Sequence, residues 1–140
     1  MKVLLDANVA LTYLTGRDDQ FSEAVNQIML MCAKEKIEGA IAFHSLSIIW
    51  YQGRKLPENV RRDWIKQLCQ LLTVSSADNE DLLNAVDDTD FKDFEDAMQD
   101  CCAVRFHADF IITANIKDYK GHSNTIPLTP NDFLKLIESL

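Results

Sequence analysis

Apolar residues along the chain follow two patterns, short continuous runs and longer stretches in which they recur at helical spacing. Short apolar runs bounded by turn residues predict buried β-strands. The runs occupy residues 2–5, 40–43, 72–74, 110–113 and 125–128. Because proline cannot donate a hydrogen bond to a central ladder, Pro127 predicts that the last run is an edge strand.

The stretches between these runs predict amphipathic helices, since their apolar residues return to one face of a helix. Asp6 or Asn8 could cap the first helix, which we expect to stop at Gly16. Pro57 is a favoured residue at the start of another helix. The remaining predicted helices cover residues 21 to about 39, 44 to about 55, 78–86, 94–105 and 130–137.

Strands that alternate with helices indicate an α/β fold, here a three-layer α/β/α sandwich with a central, mostly parallel sheet. A length of 140 residues fits one ordinary domain, so we predict a single domain over residues 1–140. No apolar stretch approaches the roughly 20 residues that cross a bilayer. Met1-Lys2 leads directly into the first predicted strand, and we therefore expect no signal peptide and a cytoplasmic protein.

The acidic charge of the chain is concentrated in one segment. A net charge of −8 argues at first against a nucleic-acid partner, because phosphate binding favours a basic surface. However, residues 78–100 contain ten acids and a single base, Lys92, which gives this segment a charge of −9. The rest of the chain therefore carries about +1, since −8 minus −9 is +1. The acidity needs a local explanation.

Several of these polar residues should meet at one edge of the sheet, because ligands in open parallel sheets bind beyond the carboxyl ends of the strands. Asp6 directly follows the first strand, whereas Asn115 and Asp118 follow the fourth. Two carboxylates about 4 Å apart repel by roughly 4 kcal/mol at an effective dielectric near 20. A cation relieves this repulsion, and oxygen ligands without thiolate or imidazole favour Mg²⁺ or Mn²⁺. A bound cation would also make an acidic pocket compatible with a polyanionic substrate.

Each candidate also has an ordinary structural interpretation. Asp6 could merely cap a helix, and Asn115 and Asp118 could be turn residues. Helical periodicity places Asp96 almost opposite the apolar face of its helix, which on its own favours exposure to solvent. We expect Asp100, one turn further along, to be an ordinary surface residue.

The remaining polar and aromatic groups show no ligand spacing. For His44, His107 and His122 we expect surface or turn positions, and for Trp50 and Trp64 core packing. One basic concentration could guide RNA, bind an acidic partner or form a solvated helix face; it consists of Arg54, Lys55, Arg61 and Arg62. The four cysteines lack the CxxC spacing of a zinc site, and three lie on predicted buried helix faces, so reduced core thiols are expected: Cys32, Cys69, Cys101 and Cys102.

Four segments together resemble the PIN-domain family, the nuclease fold of VapC-type toxins and of several RNA-processing enzymes. They are VLLDANV at residues 3–9, DFKDFEDA at 90–97, ADFIITANIKDY at 108–119 and IPLTPNDF at 126–133. Each segment is weak alone, but all four occur in the family's order and at its separations. The resemblance covers nearly the whole chain and implies a PIN-like sandwich.

The resemblance also implies site residues. The family's first catalytic acid falls on Asp6, its helix acid on Asp96 with Glu95 adjacent, and its late acid or amide positions on Asn115 and Asp118. The implied catalytic residues are Asp6, Asp96 and Asp118, and the implied ligands of Mg²⁺ or Mn²⁺ are these three together with Asn115 and Glu95.

The sequence departs from the family at its second acid, which normally lies on the helix after the second strand. The matching position is Ile48, and isoleucine can neither bind a cation nor move a proton. Similar PIN-like proteins often carry asparagine there. This departure weakens the expectation of catalysis.

Two functional hypotheses follow from the resemblance. The first is a Mg²⁺- or Mn²⁺-dependent ribonuclease acting on RNA, as the toxin of a toxin–antitoxin pair; the second is a catalytically degenerate PIN domain that binds RNA or protein. An antitoxin and a second copy of the chain, forming a homodimer, are the candidate protein partners. A phosphoacceptor receiver domain is disfavoured, because the third strand is followed by Ser75-Ser76-Ala77 rather than by an acceptor aspartate.

Overall fold

The structure, a computed structural model, describes all residues 1–140. The strands are β1 (Lys2–Leu5), β2 (Glu38–Ala42), β3 (Thr73–Ser75), β4 (Phe110–Ile112) and β5 (Ile126–Leu128). The α-helices are α1 (Ala7–Thr15), α2 (Ser22–Ala33), α3 (Phe43–Gln52), α4 (Glu58–Leu71), α5 (Asn79–Asp87), α6 (Phe94–Phe106) and α7 (Pro130–Glu138). A 3₁₀ turn at Ile116–Asp118 follows β4.

The five strands form one parallel sheet in the order β3-β2-β1-β4-β5. The central position of β1 explains its apolar sequence, because both of its faces are covered. Val3 and Leu5 pack in the larger core with α1, α2, α3, α4 and α7, whereas Leu4 packs in the smaller core with α5 and α6. This arrangement confirms the predicted α/β/α sandwich. Pro127 lies in the edge strand, as predicted.

The topological switch point of the sheet is at β1. Strands β2 and β3 lie on one side of β1, and β4 and β5 lie on the other. The carboxyl ends of β1 and β4 are neighbours, with Leu5 paired to Ile112. Asp6 and Thr113, the residues that follow these ends, therefore lie next to each other. This edge is the expected position of a ligand site in an open α/β sheet.

Some predicted boundaries were wrong around Gly39. Helix α2 ends at Ala33 rather than near residue 39, and Glu35, two residues later, has a left-handed conformation (φ 57°). Gly39 instead lies inside β2, where an added Cβ would come within 2.6 Å of Cys32 Sγ. The glycine is needed for close packing of α2 on the sheet, not for helix termination. Phe43 likewise begins α3 rather than ending a strand.

None of the helices is long and apolar enough to cross a membrane. All four cysteines are unpaired: Cys32 and Cys102 are buried, Cys101 is partly buried and Cys69 is exposed. Burial raises the pKa of the Cys32 and Cys102 thiols to about 11, so both are neutral, apolar parts of the core.

Candidate functional site

Asp6 lies at the centre of the carboxyl edge of the sheet. It is only 5% exposed, and Thr113 Oγ1 donates a hydrogen bond of 2.8 Å to its Oδ2. Although Asp6 occupies the N-cap position of α1, its side chain makes no capping hydrogen bond. The capping interpretation is therefore wrong, because the side chain is held toward β4 instead.

The pKa of Asp6 is raised to about 6. Burial is the main cause, and the hydrogen bond from Thr113 opposes it in part. The charges of Glu95 and Asp118 raise the pKa further, which means that both carboxylates lie within electrostatic range of Asp6. Three acids that are remote in sequence thus converge at one point.

The first turn of α6 carries the next part of the site. Asp93 caps this helix by accepting a hydrogen bond of 2.9 Å from the backbone N–H of Glu95. One carboxylate oxygen from each of Asp93, Glu95 and Asp96 lies within 4.8 Å of the other two. The crowding of like charges at a helix start is partly stabilised by the positive end of the helix dipole.

Asp96 is not the solvated residue that periodicity alone favoured. It is partly buried, and Tyr119 Oη donates a hydrogen bond of 3.1 Å to its Oδ1. Burial and the neighbouring Glu95 charge raise its pKa to about 7. The helical wheel missed this because the segment after β4, with the fully buried Tyr119, covers the first turn of α6. Phe94, an apolar residue of the same turn, is by contrast 43% exposed.

Glu95 is held by a residue from a different helix. His44 Nε2, on the first turn of α3, lies 3.2 Å from Glu95 Oε1, and this contact lowers the pKa of Glu95 despite its partial burial. The prediction of a surface or turn position for His44 was wrong, since its side chain is only 20% exposed. No spacing in the sequence signals this pair, because α3 and α6 cover opposite faces of the sheet and only their first turns meet at its carboxyl edge.

Asn115 immediately precedes the 3₁₀ turn, and Asp118 is its last residue. Asp118 lines a cavity of about 260 Å³ that also contains Asp93 and Asp96. Asn115 lines a separate cavity of about 410 Å³ beside Asn8, and its backbone N–H donates to Thr113 Oγ1 at 3.0 Å. The structure therefore places Asp118 beside Asp96, but it places Asn115 in the adjoining cavity.

Two residues without a sequence signal connect the elements of the site. Gln99 on α6 is fully buried, and its Nε2 donates to the backbone oxygen of Leu5 at 3.4 Å. Ser45 Oγ on α3 donates to Gln99 Oε1 at 3.2 Å. This chain of hydrogen bonds links the end of β1, just before Asp6, to the two helices that carry Glu95 and His44.

Helix α3 contributes no carboxylate, because its sequence contains no acid. Ile48 is partly buried and packs against the larger hydrophobic core. The polar groups that α3 brings to this region are His44 and Ser45. Helix α3 therefore supplies imidazole and hydroxyl groups, but no carboxylate, to this region.

Asp100 was wrongly predicted to be an ordinary surface residue, since it is only 3% exposed. Its carboxylate accepts hydrogen bonds from Asn124 N (3.1 Å), Asn124 Nδ2 (3.0 Å) and Thr125 N (3.3 Å). These donors compensate for its burial, which nevertheless raises its pKa. Asp100 ties α6 to the segment that leads into β5.

The basic concentration and the tryptophans lie outside the cavity of Asp96 and Asp118. Arg61 stacks over Trp50 at 4.3 Å, whereas Arg62 forms an exposed ion pair with Glu58. Trp64 is buried in the larger core, as predicted. Trp50 is only partly buried and serves as a platform for arginine.

The residues at the sheet edge fit a divalent cation. The pKa values of Asp6 and Asp96 are raised to about 6 and 7 because burial outweighs the hydrogen bonds that each carboxylate accepts. The candidate ligands are carboxylate oxygens, and such hard ligands suit Mg²⁺ or Mn²⁺. Two imidazoles lie nearby: His44 contacts Glu95, and His122 lines the cavity of Asp96 and Asp118. A cation would relieve the repulsion that the fold creates.

Comparison with solved structures identifies toxin–antitoxin proteins of the same fold. VapBC2 from Rickettsia felis, bound to a DNA fragment from its promoter, has a TM-score of 0.71 and 17% identity and matches 92% of this chain and 98% of the other. VapBC-1 from nontypeable Haemophilus influenzae has a TM-score of 0.68 and 14% identity, over 94% and 99% of the two chains. A toxin–antitoxin complex from Klebsiella pneumoniae has a TM-score of 0.66 and 20% identity, over 91% and 97%. At these identities the similarity shows the fold.

No curated protein sequence matches the chain significantly. The sequence profile of the PIN domain, by contrast, matches residues 2–117, which include β1 to β4 and the acids Asp6, Glu95 and Asp96, and it ends one residue before Asp118. The chain belongs to the PIN-domain family.

Proposed function

We propose that this protein is a Mg²⁺- or Mn²⁺-dependent ribonuclease built on one PIN domain over residues 1–140. The observation that carries the proposal is the convergence of Asp6, Glu95, Asp96 and Asp118 at the carboxyl edge of the sheet, with raised pKa values at Asp6 and Asp96. Burial that raises the pKa of two carboxyl groups, Asp6 and Asp96, costs stability when they are charged, so their presence at this edge favours a role in ligand binding over one in folding.

Asp6 and Asp96 would hold the cation directly, and Asp118, Glu95 and Asn115 would orient its other ligands or waters. When bound, Mg²⁺ or Mn²⁺ supplies a water of lowered pKa and neutralises charge on a phosphodiester in an in-line displacement. The chain's other residues keep the carboxylates in position.

Thr113 and Tyr119 fix one oxygen each of Asp6 and Asp96, which leaves the second oxygen of each carboxylate for the cation. His44 keeps Glu95 ionised, because its contact lowers the pKa of that carboxyl. A bound cation would therefore stabilise the charged forms of Asp6 and Asp96 most, whereas Glu95 is already charged at neutral pH.

The three structural neighbours described above are toxin–antitoxin proteins, which supports a role for this chain as the toxin of such a pair. A small antitoxin protein is then the expected partner. Co-expression with the product of an adjacent reading frame, followed by purification of a stable complex, tests this part of the proposal. Recovery of the two products always as separate species would contradict it.

Incubation of the purified protein with single-stranded and structured RNAs and Mn²⁺ tests the proposed activity. We expect cleavage by the wild type and its loss in Asp6→Ala and Asp96→Ala. Asp18→Ala is the matched control, because Asp18 is exposed and removal of its charge leaves the site intact. Cleavage that persists in both site variants would rule out the site.

A second candidate function is binding without cleavage, and the absence of any acid on α3 favours it. Calorimetric titration with Mn²⁺ separates the two functions. Tight Mn²⁺ binding without turnover of any RNA would support the binding module, whereas turnover would exclude it. For such a module, Ile48→Glu restores the missing acid, and activity gained by this variant would identify Ile48 as the cause of the lost turnover.

A further inference from the structure

We propose that Lys92 and Lys117 bind a phosphate of the RNA backbone adjacent to the scissile one. This inference rests on the proposed ribonuclease function and extends it by assigning a substrate subsite beside the acids. The subsite is the cavity of about 260 Å³ that Asp96 and Asp118 line from one side.

The lining of this cavity is entirely polar and contains charges of both signs. Its residues are Lys92, Asp93, Asp96, Lys117, Asp118 and His122. A volume of 260 Å³ lies below the roughly 300–1,000 Å³ of pockets that enclose drug-sized ligands. The cavity therefore suits a small charged group such as a phosphate with its waters, and it does not suit an apolar ligand.

Neither Lys92 nor Lys117 forms an ion pair with another residue of the protein. Every ion pair of the chain involves other cations, which are Lys2, Arg17, His44, Arg62 and Arg105. Lys92 and Lys117 share a cavity with three carboxylates, yet neither ammonium group lies within ion-pairing distance of one, and both side chains are exposed. Their charges remain available to an anion from solution.

A polyanion that reaches the acids needs such a positive group. The cation proposed at Asp6 and Asp96 compensates the charge at the scissile phosphate only, whereas each neighbouring phosphate would still face the acids of α6. Lys92 precedes α6 and Lys117 lies in the 3₁₀ turn, so the two flank the cavity from different segments. An RNA phosphate bound between the two lysines would hold the neighbouring, scissile phosphate beside the acids.

Two other basic residues that could serve this purpose, Arg17 and Arg61, are already engaged. Arg17, in the cavity of Asn115, donates to Thr12 Oγ1 at 3.1 Å and lies 3.6 Å from Asp19. Arg61 is stacked on Trp50. These contacts favour the cavity of Lys92 and Lys117 over the alternatives for the adjacent phosphate.

Salt dependence of RNA binding tests this subsite directly. Fluorescence anisotropy with a labelled single-stranded RNA would be measured in an Asp6→Asn background, which prevents cleavage. Each phosphate of a single strand that the protein neutralises contributes about −0.7 to the slope of log K against log salt. Because Lys92 and Lys117 share one phosphate, the double variant Lys92→Gln/Lys117→Gln should bind more weakly, with a slope shallower by about 0.7.

The matched control is Lys66→Gln/Lys120→Gln, which removes the same charge from exposed lysines that do not line the cavity. It should leave the slope nearly unchanged. Equal changes in both double variants, or no change in the first, would overturn the subsite. In the cleaving protein, Lys92→Gln/Lys117→Gln should raise KM more than it lowers kcat.

The outcomes distinguish failure of the subsite from failure of the proposed function. Cleavage by the wild type, together with an unchanged KM and salt slope in the lysine variant, would overturn the subsite alone. A wild type that neither binds nor cleaves RNA with Mn²⁺ would overturn both.

Discussion

Replacement of Asp6 by asparagine should stabilise the protein when no divalent cation is present. Asparagine has the shape of aspartate, and its Oδ1 can still accept the hydrogen bond from Thr113 Oγ1. The substitution removes the negative charge of Asp6, a residue that is only 5% exposed and is repelled by the charges of Glu95 and Asp118. A residue kept for cation binding at the expense of folding should show this behaviour.

The magnitude follows from the pKa of Asp6. Folding raises this pKa from 3.8 to about 6, and each pKa unit corresponds to about 1.36 kcal/mol. The charged carboxylate therefore costs up to about 3 kcal/mol of folding free energy at neutral pH. Since the amide group of asparagine must also be accommodated, a gain of about 1–3 kcal/mol is expected.

The sign of the pH dependence is fixed by the direction of this shift. The folded protein binds the Asp6 proton more tightly than the unfolded chain, so stability falls as pH rises from about 4 to about 6. Asp6→Asn has no such loss. The difference between variant and wild type should thus be smallest near pH 4 and largest above pH 6.

Urea unfolding in EDTA at several pH values between 4 and 8 measures this difference. Asp18→Asn is the control for a general loss of negative charge, because Asp18 is exposed, and it should change stability by only a few tenths of a kcal/mol. Equal stability of Asp6→Asn and wild type at pH 8, or a difference that grows toward pH 4, would refute the reasoning.

Three further predictions concern carboxylates on α6. Mn²⁺ at about 100 times its Kd should stabilise the wild type by about 2.7 kcal/mol in thermal unfolding, and Asp96→Asn should lose most of this gain. Asp100→Ala should lower the free energy of unfolding by about 1–3 kcal/mol, because the N–H groups of Asn124 and Thr125 lose their acceptor. Faster hydrogen exchange at these two amides would show the effect, and unchanged exchange would contradict it. Tyr119→Phe removes a hydrogen bond that lowers the pKa of Asp96, so NMR titration should find a higher pKa there, and a lower one would contradict the assigned contact.

The sequence was sufficient to predict the layers and the position of Asp6 beside the end of the fourth strand. Short apolar runs separated by amphipathic stretches have few alternatives to a parallel sheet covered by helices. Once β1 and β4 are neighbours, the residues after them must lie close together, and Asp6 and Thr113 do. This convergence depends on topology, which the alternation of elements encodes.

What could not be predicted depends on contacts between elements. Asp100 and Gln99 are polar residues on a helix, and only the packing of α6 on β1 and on the segment before β5 explains their burial. His44 approaches Glu95 because the first turns of α3 and α6, which cover opposite faces of the sheet, meet at its carboxyl edge. Strand β2 has a glycine at position 39 because Cys32 leaves no room for a side chain there. None of these causes is visible along a single stretch of sequence.

The most direct test of the account is a crystal structure of the protein soaked in Mn²⁺, with anomalous scattering used to locate the ion. We predict one strong Mn²⁺ peak within coordination distance of both Asp6 and Asp96, with Asp118 or Glu95 bound directly or through water, and its loss in Asp6→Asn. A fully soaked crystal with no peak at these carboxylates, or with Mn²⁺ bound only elsewhere on the surface, would contradict the account.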